Sequence, residues 1–142
     1  MKQKALKLIV FIVALLSTST IYAQKTSTNK ELVEVIYFYG KKRCTTCNAI
    51  EKLSQEVVND QFAKQVADGT VVYKAVDITT KEGEALADHF EVAWSSLFIN
   101  KIEGRKESVN NMTKFAFANA LNNPEEFKNG LTEKINSLLN GK

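Results

Sequence analysis

The sequence predicts a single α/β domain, and three observations carry that prediction. A β-rich apolar run, Leu32–Tyr39, stops at Gly40. Just past a Cys-x-x-Cys pair, Ala49, Ile50, Leu53, Val57 and Val58 recur at spacings of three and four, the period of a half-buried helix. Strands then alternate with helices once more and fold back as a hairpin, the order of a mixed four-stranded sheet rather than of an all-helical or all-β domain. With 142 residues the chain can bury one ordinary core but not two.

Taken in order, Leu32–Tyr39 is nearly continuous in its apolar character and reads as a central strand covered on both faces. The helix after the cysteines extends to Phe62 and Val66, where Asp68-Gly69 breaks it. Residues 70–78 form a second strand, and Thr79 with Glu82 three residues later is a capping-box signature for a helix through Leu86 to Phe90. Residues 96–102 are a third strand, which Gly104-Arg105 turns into a fourth at residues 106–109. Residues 115–121 are helical. The helix restarts at Asn123-Pro124-Glu125-Glu126, where Asn123 caps, Pro124 takes the first helical position and Glu126 closes the box. Phe127, Leu131, Ile135, Leu138 and Leu139 mark its buried face. No internal repeat or low-complexity segment interrupts this order.

The N-terminus reads differently. Lys2, Lys4 and Lys7 precede an apolar run at residues 8–16, and small polar residues then lead to Ala23, the pattern of a secretory signal peptide over residues 1–23 with cleavage before Gln24. Nine apolar residues fall well short of the roughly 20 that span a bilayer, so no permanent membrane anchor is expected. Residues 24–30 form a flexible lead-in, and the domain occupies residues 31–142. The formal charge of +3 comes from 19 basic and 16 acidic residues, and the leader holds three of the lysines, so the exported chain carries sixteen of each sign. Such a balance, with only the short basic run Lys41, Lys42, Arg43, argues against nucleic acid as a partner. Two cysteines are too few to staple a secreted scaffold, so the fold rests on its own core. The expected product is a soluble monomer in the periplasm or outside the cell.

The chemistry gathers at the cysteine pair. A strand ending at Gly40, a short loop and a helix opening at Cys44-Thr45-Thr46-Cys47 place Cys44 at a helix N-terminus. Unpaired backbone N–H groups and the helix dipole favour its thiolate there, with Coulombic help from Lys41, Lys42 and Arg43. Cys47, one turn further in, is within disulfide reach and more buried, so Cys44 is the candidate nucleophile and Cys47 the resolving thiol. Thr45 and Thr46 are polar enough to cap. Three readings stand for the pair: a redox-active dithiol, a structural disulfide, or half of a zinc site. The other half of a zinc site would need ligands beyond the two cysteines and the single histidine, His89, so no metal is expected.

The strand residues Val33-Glu34-Val35-Ile36-Tyr37-Phe38-Tyr39, the pair Cys44-Thr45-Thr46-Cys47, the following helix, the strand Val71–Asp77 and Trp94-Ser95-Ser96-Leu97-Phe98-Ile99 resemble the thioredoxin superfamily over about residues 31–139. That resemblance implies a thioredoxin-like three-layer sandwich, with helices on both faces of a mixed four-stranded sheet. It also implies thiol–disulfide exchange with protein thiols or disulfides, in a relay with a membrane thiol carrier. More narrowly, Arg43-Cys44-Thr45-Thr46-Cys47, Trp94-Ser95-Ser96-Leu97-Phe98 and Asn110-Asn111-Met112-Thr113 resemble exported bacterial proteins named nitrophenyl compound nitroreductase subunits of the ArsF type. That name implies reduction of nitroaromatic or nitroarsenical compounds beside a membrane protein. The chain has no flavin or nicotinamide motif of its own, and no cofactor is expected.

Departures from the family pattern bear on mechanism. Arg43 stands where thioredoxins carry a tryptophan, and Thr45-Thr46 replace Gly-Pro. Phe38 occupies the place of a buried carboxylate that serves the resolving thiol, and Ser95 the place of a cis-proline. A trans Trp94-Ser95 bond is expected, because a non-proline cis bond costs about 2.5–4 kcal/mol. Trp94, Ser95 and Ser96 are therefore the candidate substrate edge, with Arg43, Thr45 and Thr46 as tuning residues. Trp94 admits either ligand stacking or core packing. His89 reads as a surface or capping residue, Thr113 as a helix cap, and Phe115 and Phe117, two apart on one helix, cannot both face the same core.

Overall fold

The computed structural model describes residues 31–141; the expected signal peptide over residues 1–23, its expected cleavage before Gln24 and the expected lead-in over residues 24–30 lie outside them. Four strands and five helices follow one another as β1 (Leu32–Tyr39), α1 (Thr45–Gln61), α2 (Ala63–Asp68), β2 (Val71–Asp77), α3 (Lys81–His89), β3 (Ser96–Glu103), β4 (Lys106–Asn111), α4 (Thr113–Asn119) and α5 (Pro124–Leu139). The sheet order is β2-β1-β3-β4. Strand β1 runs parallel to β2, with Val33 beside Val71 and Tyr39 beside Asp77. A parallel pair needs a crossover, and α1 and α2 supply it. Strand β3 is antiparallel to β1, and β4 to β3. The β3–β4 turn places Gly104 at φ 63 at its first central position, as a two-residue hairpin of type II′ requires.

Alternation along β1 divides the interior into two layers. Val33, Val35 and Tyr37 meet Ile50, Leu53, Val57 and Val58 of α1, Ala116 of α4 and Phe127, Leu131 and Ile135 of α5. Ile36 and Phe38 turn the other way, to Ala87 of α3, Phe90 just past its end and Phe98 of β3. Helices thus cover both faces of a mixed four-stranded sheet, which is the thioredoxin-like sandwich. No helix of the described residues is long and apolar enough to cross a membrane.

Several local details depart from the sequence reading. The long helix breaks at Phe62, where φ is −122°, and the buried Phe62 ring fills the core while α2 continues separately. Helix α3 is capped by Thr80, not Thr79: the Thr80 hydroxyl accepts the Gly83 N–H at 3.0 Å. Thr79 instead closes a turn on the Asp77 carboxylate through both its N–H and its hydroxyl, and these bonds hold that carboxyl below its ordinary range. Gly83 is required here, since a Cβ would run into the Asp77 carbonyl. Strand β4 reaches Asn111, two residues past the expected end. Thr113 does not cap α4; its own N–H donates to Asn111 Oδ1, and its hydroxyl accepts the Leu97 N–H at 3.1 Å, tying the helix start to β3. At α5, Asn123 holds the cap position and Pro124 opens the helix, but the Asn123 side chain makes no capping bond.

Candidate functional site

The cysteine pair sits where β1 hands over to α1. Cys44 is the N-cap residue with extended backbone, φ −85° and ψ 166°, and its Sγ accepts the Cys47 N–H at 3.1 Å. The sulfur therefore does the capping expected of Thr45 or Thr46; Thr45 is exposed and Thr46 half-buried. The two cysteines form a disulfide with their Cα atoms 5.0 Å apart. Cys44 is exposed, whereas Cys47 keeps only 6% of its surface. One sulfur is thus offered to solvent and the other sheltered behind it.

Beneath the pair lies a set of tyrosines that sequence reasoning passed over. Tyr37, fully buried, donates its hydroxyl to the Cys47 carbonyl at 2.9 Å. Tyr73 donates to the Glu51 carbonyl at 3.3 Å, and burial pushes its phenol far above the ordinary range, so it remains a neutral donor. Arg43 lies over the Tyr39 ring at 4.4 Å and pairs with Glu51 of α1. Its charge is spent on the helix flank, which leaves Lys42 as the basic residue of the loop that lines the disulfide cavity. The pairing of Tyr37 and Tyr39 at alternate positions of a strand ending near the cysteines was the available signal, since both must face the helix that carries the pair.

Phe38, at the aligned carboxylate position, packs instead on Phe90 and Phe98, on the far face from α1. A cavity of about 420 Å³ opens at the disulfide, walled by Ile78, Trp94, Ser95 and Phe117 together with both cysteines. No carboxylate lines it. The described residues contain no cis peptide bond, so Trp94-Ser95 is trans, and Ser95 lies buried against the cavity. Ser96 is also buried, its hydroxyl donating to the Trp94 carbonyl at 3.0 Å, but it faces a neighbouring groove rather than the disulfide. Trp94 is 60% exposed and leans on Phe117, with ring centroids 5.3 Å apart. Core packing does not describe it. Phe115 turns inward to stack on Phe127, so the two phenylalanines of α4 do face different surroundings. His89 is a surface residue, within 2.9 Å of Glu107 and edge-on to Phe90, away from the disulfide cavity. Among the described residues no group of three or more His, Cys, Asp or Glu side chains is arranged for a metal ion.

The fold and this geometry define a thioredoxin-like domain with a close Cys-x-x-Cys pair at a helix start, an arrangement that fits thiol–disulfide oxidoreduction. No protein-family model matches the chain, and no curated protein matches it either. Among solved structures it is similar to a thioredoxin from Thermus thermophilus, at 15% identity and a TM-score of 0.47 over 75% of each chain. It is also similar to a malarial protein, at 19% identity and a TM-score of 0.38, over 61% of this chain and 93% of that one.

Proposed function

We propose that this protein is an exported thiol–disulfide oxidoreductase that exchanges with protein thiols or disulfides, in a relay with a membrane thiol carrier. The observation that carries the reading is the asymmetry of the pair, an exposed Cys44 capping α1 and a sheltered Cys47 behind it. In the reducing direction the Cys44 thiolate attacks one sulfur of a partner disulfide, and the partner's other sulfur leaves as thiolate. Cys47 then attacks the Cys44 sulfur, and the partner's remaining thiolate leaves. Two electrons and two protons pass to the partner, and the protein is left as its disulfide; the reverse sequence oxidises a partner dithiol. Export rests on the leader at residues 1–23. A place in a nitroreductase complex rests on the motif resemblance at Arg43-Cys44-Thr45-Thr46-Cys47, with electrons supplied by another subunit.

A second reading, a binding module with a structural disulfide, is favoured by the exposure of Trp94 and by Ser95 in place of the family's proline. Alkylation separates the two. In the reduced protein Cys44 is expected to label faster than Cys47, with a midpoint below that of a free thiol, and Cys47→Ser is expected to accumulate a mixed disulfide through Cys44. Equal labelling of both cysteines, together with a disulfide potential below about −300 mV, favours the structural disulfide.

A further inference from the structure

On the far side of Trp94 and Phe117 from the disulfide lies a larger groove of about 760 Å³. Its floor is Phe98 and Val109 on the α3 face of β3 and β4. Its walls are Phe90–Val92 past the end of α3 and Thr113, Lys114 and Phe117 of α4. The groove exists because α3, only nine residues long, packs its apolar residues over β1 and Phe98 and meets β4 through His89 at Glu107, which leaves the Val109 end of this face bare. Val109 is 48% exposed as a result. Trp94 and Phe117 belong to both cavities, so any chain that presents a sulfur to Cys44 and continues over Trp94 enters this groove.

Its charges are unspent. Lys114 on one wall and Glu91 on the other have side chains with no hydrogen bond or ion pair among the described residues. Lys42, in the adjoining disulfide cavity, adds a second positive charge on the side nearer Cys44. The groove thus carries one charge of each sign on opposite walls, and the disulfide cavity that leads into it has a lysine and no carboxylate, so an acidic partner residue is met by Lys42 on the approach and by Lys114 within.

We infer that the groove selects the partner polypeptide by the residues beside its reacting cysteine, taking a bulky apolar side chain over Phe98 and Val109 and an acidic one against Lys114. The inference rests on the exchange reading of Cys44 and adds to it a partner preference. The apolar contact sets most of the discrimination, because burying a large side chain outweighs a solvent-exposed ion pair.

The test uses short peptides with one cysteine activated as its 2-thiopyridyl disulfide, so that attack by Cys44 of the reduced protein forms the peptide–Cys44 bond and releases thiopyridone, which is followed by absorbance. Neighbouring residues are Phe with Asp, Phe with Lys, Ala with Asp, and Ala with Ser. The Phe–Asp peptide is expected to react about tenfold faster than the alanine peptides. It should exceed Phe–Lys by about threefold, and Lys114→Glu should invert that last order. If all four peptides react within about twofold of one another while 2,2′-dithiodipyridine reacts readily with Cys44, the groove has no role and only the exchange reading survives. A phenylalanine preference with no response to Lys114→Glu overturns the assignment of the acidic residue. Failure of Cys44 to react with 2,2′-dithiodipyridine overturns the exchange reading and the partner preference with it.

Discussion

The odd-numbered residues of β1 look onto α1, α4 and α5, whereas on the opposite face Ile36 and Phe38 look onto α3 and Glu34 onto side chains of the neighbouring strands. On the first face the interior is continuous from Val33 through Leu53 to Ile135. On the second, a small knot of Ile36, Phe38, Ala87, Phe90 and Phe98 gives way towards one end to polar groups and towards the other to the open groove. The polar end runs across all four strands: Lys74 reaches Glu34 at 2.5 Å, Asn100 Nδ2 reaches Glu34 at 3.4 Å and Glu107 at 2.5 Å, and Glu107 meets His89. One face holds the fold together. The other tolerates buried charge and exposed aromatics at its two ends, and the groove beside the disulfide is built on it.

The sharpest way to break this contrast is to remove an aromatic ring from each face. Phe127 is fully buried and stacks on Phe115, so Phe127→Ala is expected to cost about 3–5 kcal/mol through lost transfer energy and an unfilled cavity. Phe98→Ala removes a ring that already borders open space, and about 2–3 kcal/mol is expected because the groove lets solvent reach the site. Urea unfolding of both variants measures the difference. Equal losses would mean that the α3 face carries as much of the stability as the other.

A smaller effect is expected at the polar end. Glu34 keeps only 10% of its side-chain surface and pairs with Lys74, which is 41% exposed. Lys74→Met leaves the carboxylate with Asn100 as its remaining neighbour at 3.4 Å. A loss of about 1–2 kcal/mol is expected, less than for a fully buried pair because water screens the lysine end. The double variant Glu34→Gln, Lys74→Met is expected to recover most of that loss, since no unpaired charge remains. If the double variant proves as unstable as the single one, packing of the lysine stem rather than charge is what matters there.

How much of this was legible beforehand depended on whether a feature is local. The bounds of β1, the cysteine pair at a helix start and the apolar face of α5 follow from short-range pattern, and the structure has them where that pattern puts them. The break at Phe62 was hidden because Phe62 falls at helical spacing; only the core's demand for its ring moves it off the helix. Thr79 and Thr80 offer the same capping chemistry, and the choice between them is made by the turn on Asp77. The groove could not be read at all, since Phe98, Val109 and Phe117 come together only through the β3–β4 register and the placement of α4. The Tyr37 bond to Cys47 likewise needs the sheet and α1 to be docked first.

The finest probe of the comparison is Glu91, the one described non-glycine residue with positive φ, at 55°. It ends α3 in the way glycine usually does: the Val92 N–H donates to the Ala87 carbonyl at 2.8 Å and the Glu91 N–H to the Asp88 carbonyl at 3.1 Å, the paired bonds of a Schellman ending. A side chain in this left-handed conformation costs about 1 kcal/mol relative to glycine. Glu91→Gly is therefore expected to stabilise the protein by about 0.5–1 kcal/mol, the gain being trimmed by the greater freedom of glycine in the unfolded chain. Glu91→Ala, which keeps the Cβ, is expected to bring no such gain. Urea midpoints of the two variants decide the matter. A glycine variant no more stable than the alanine one would show that the backbone at residue 91 is unstrained, and the α3 face would then lose its claim to have given up stability for the shape of the groove.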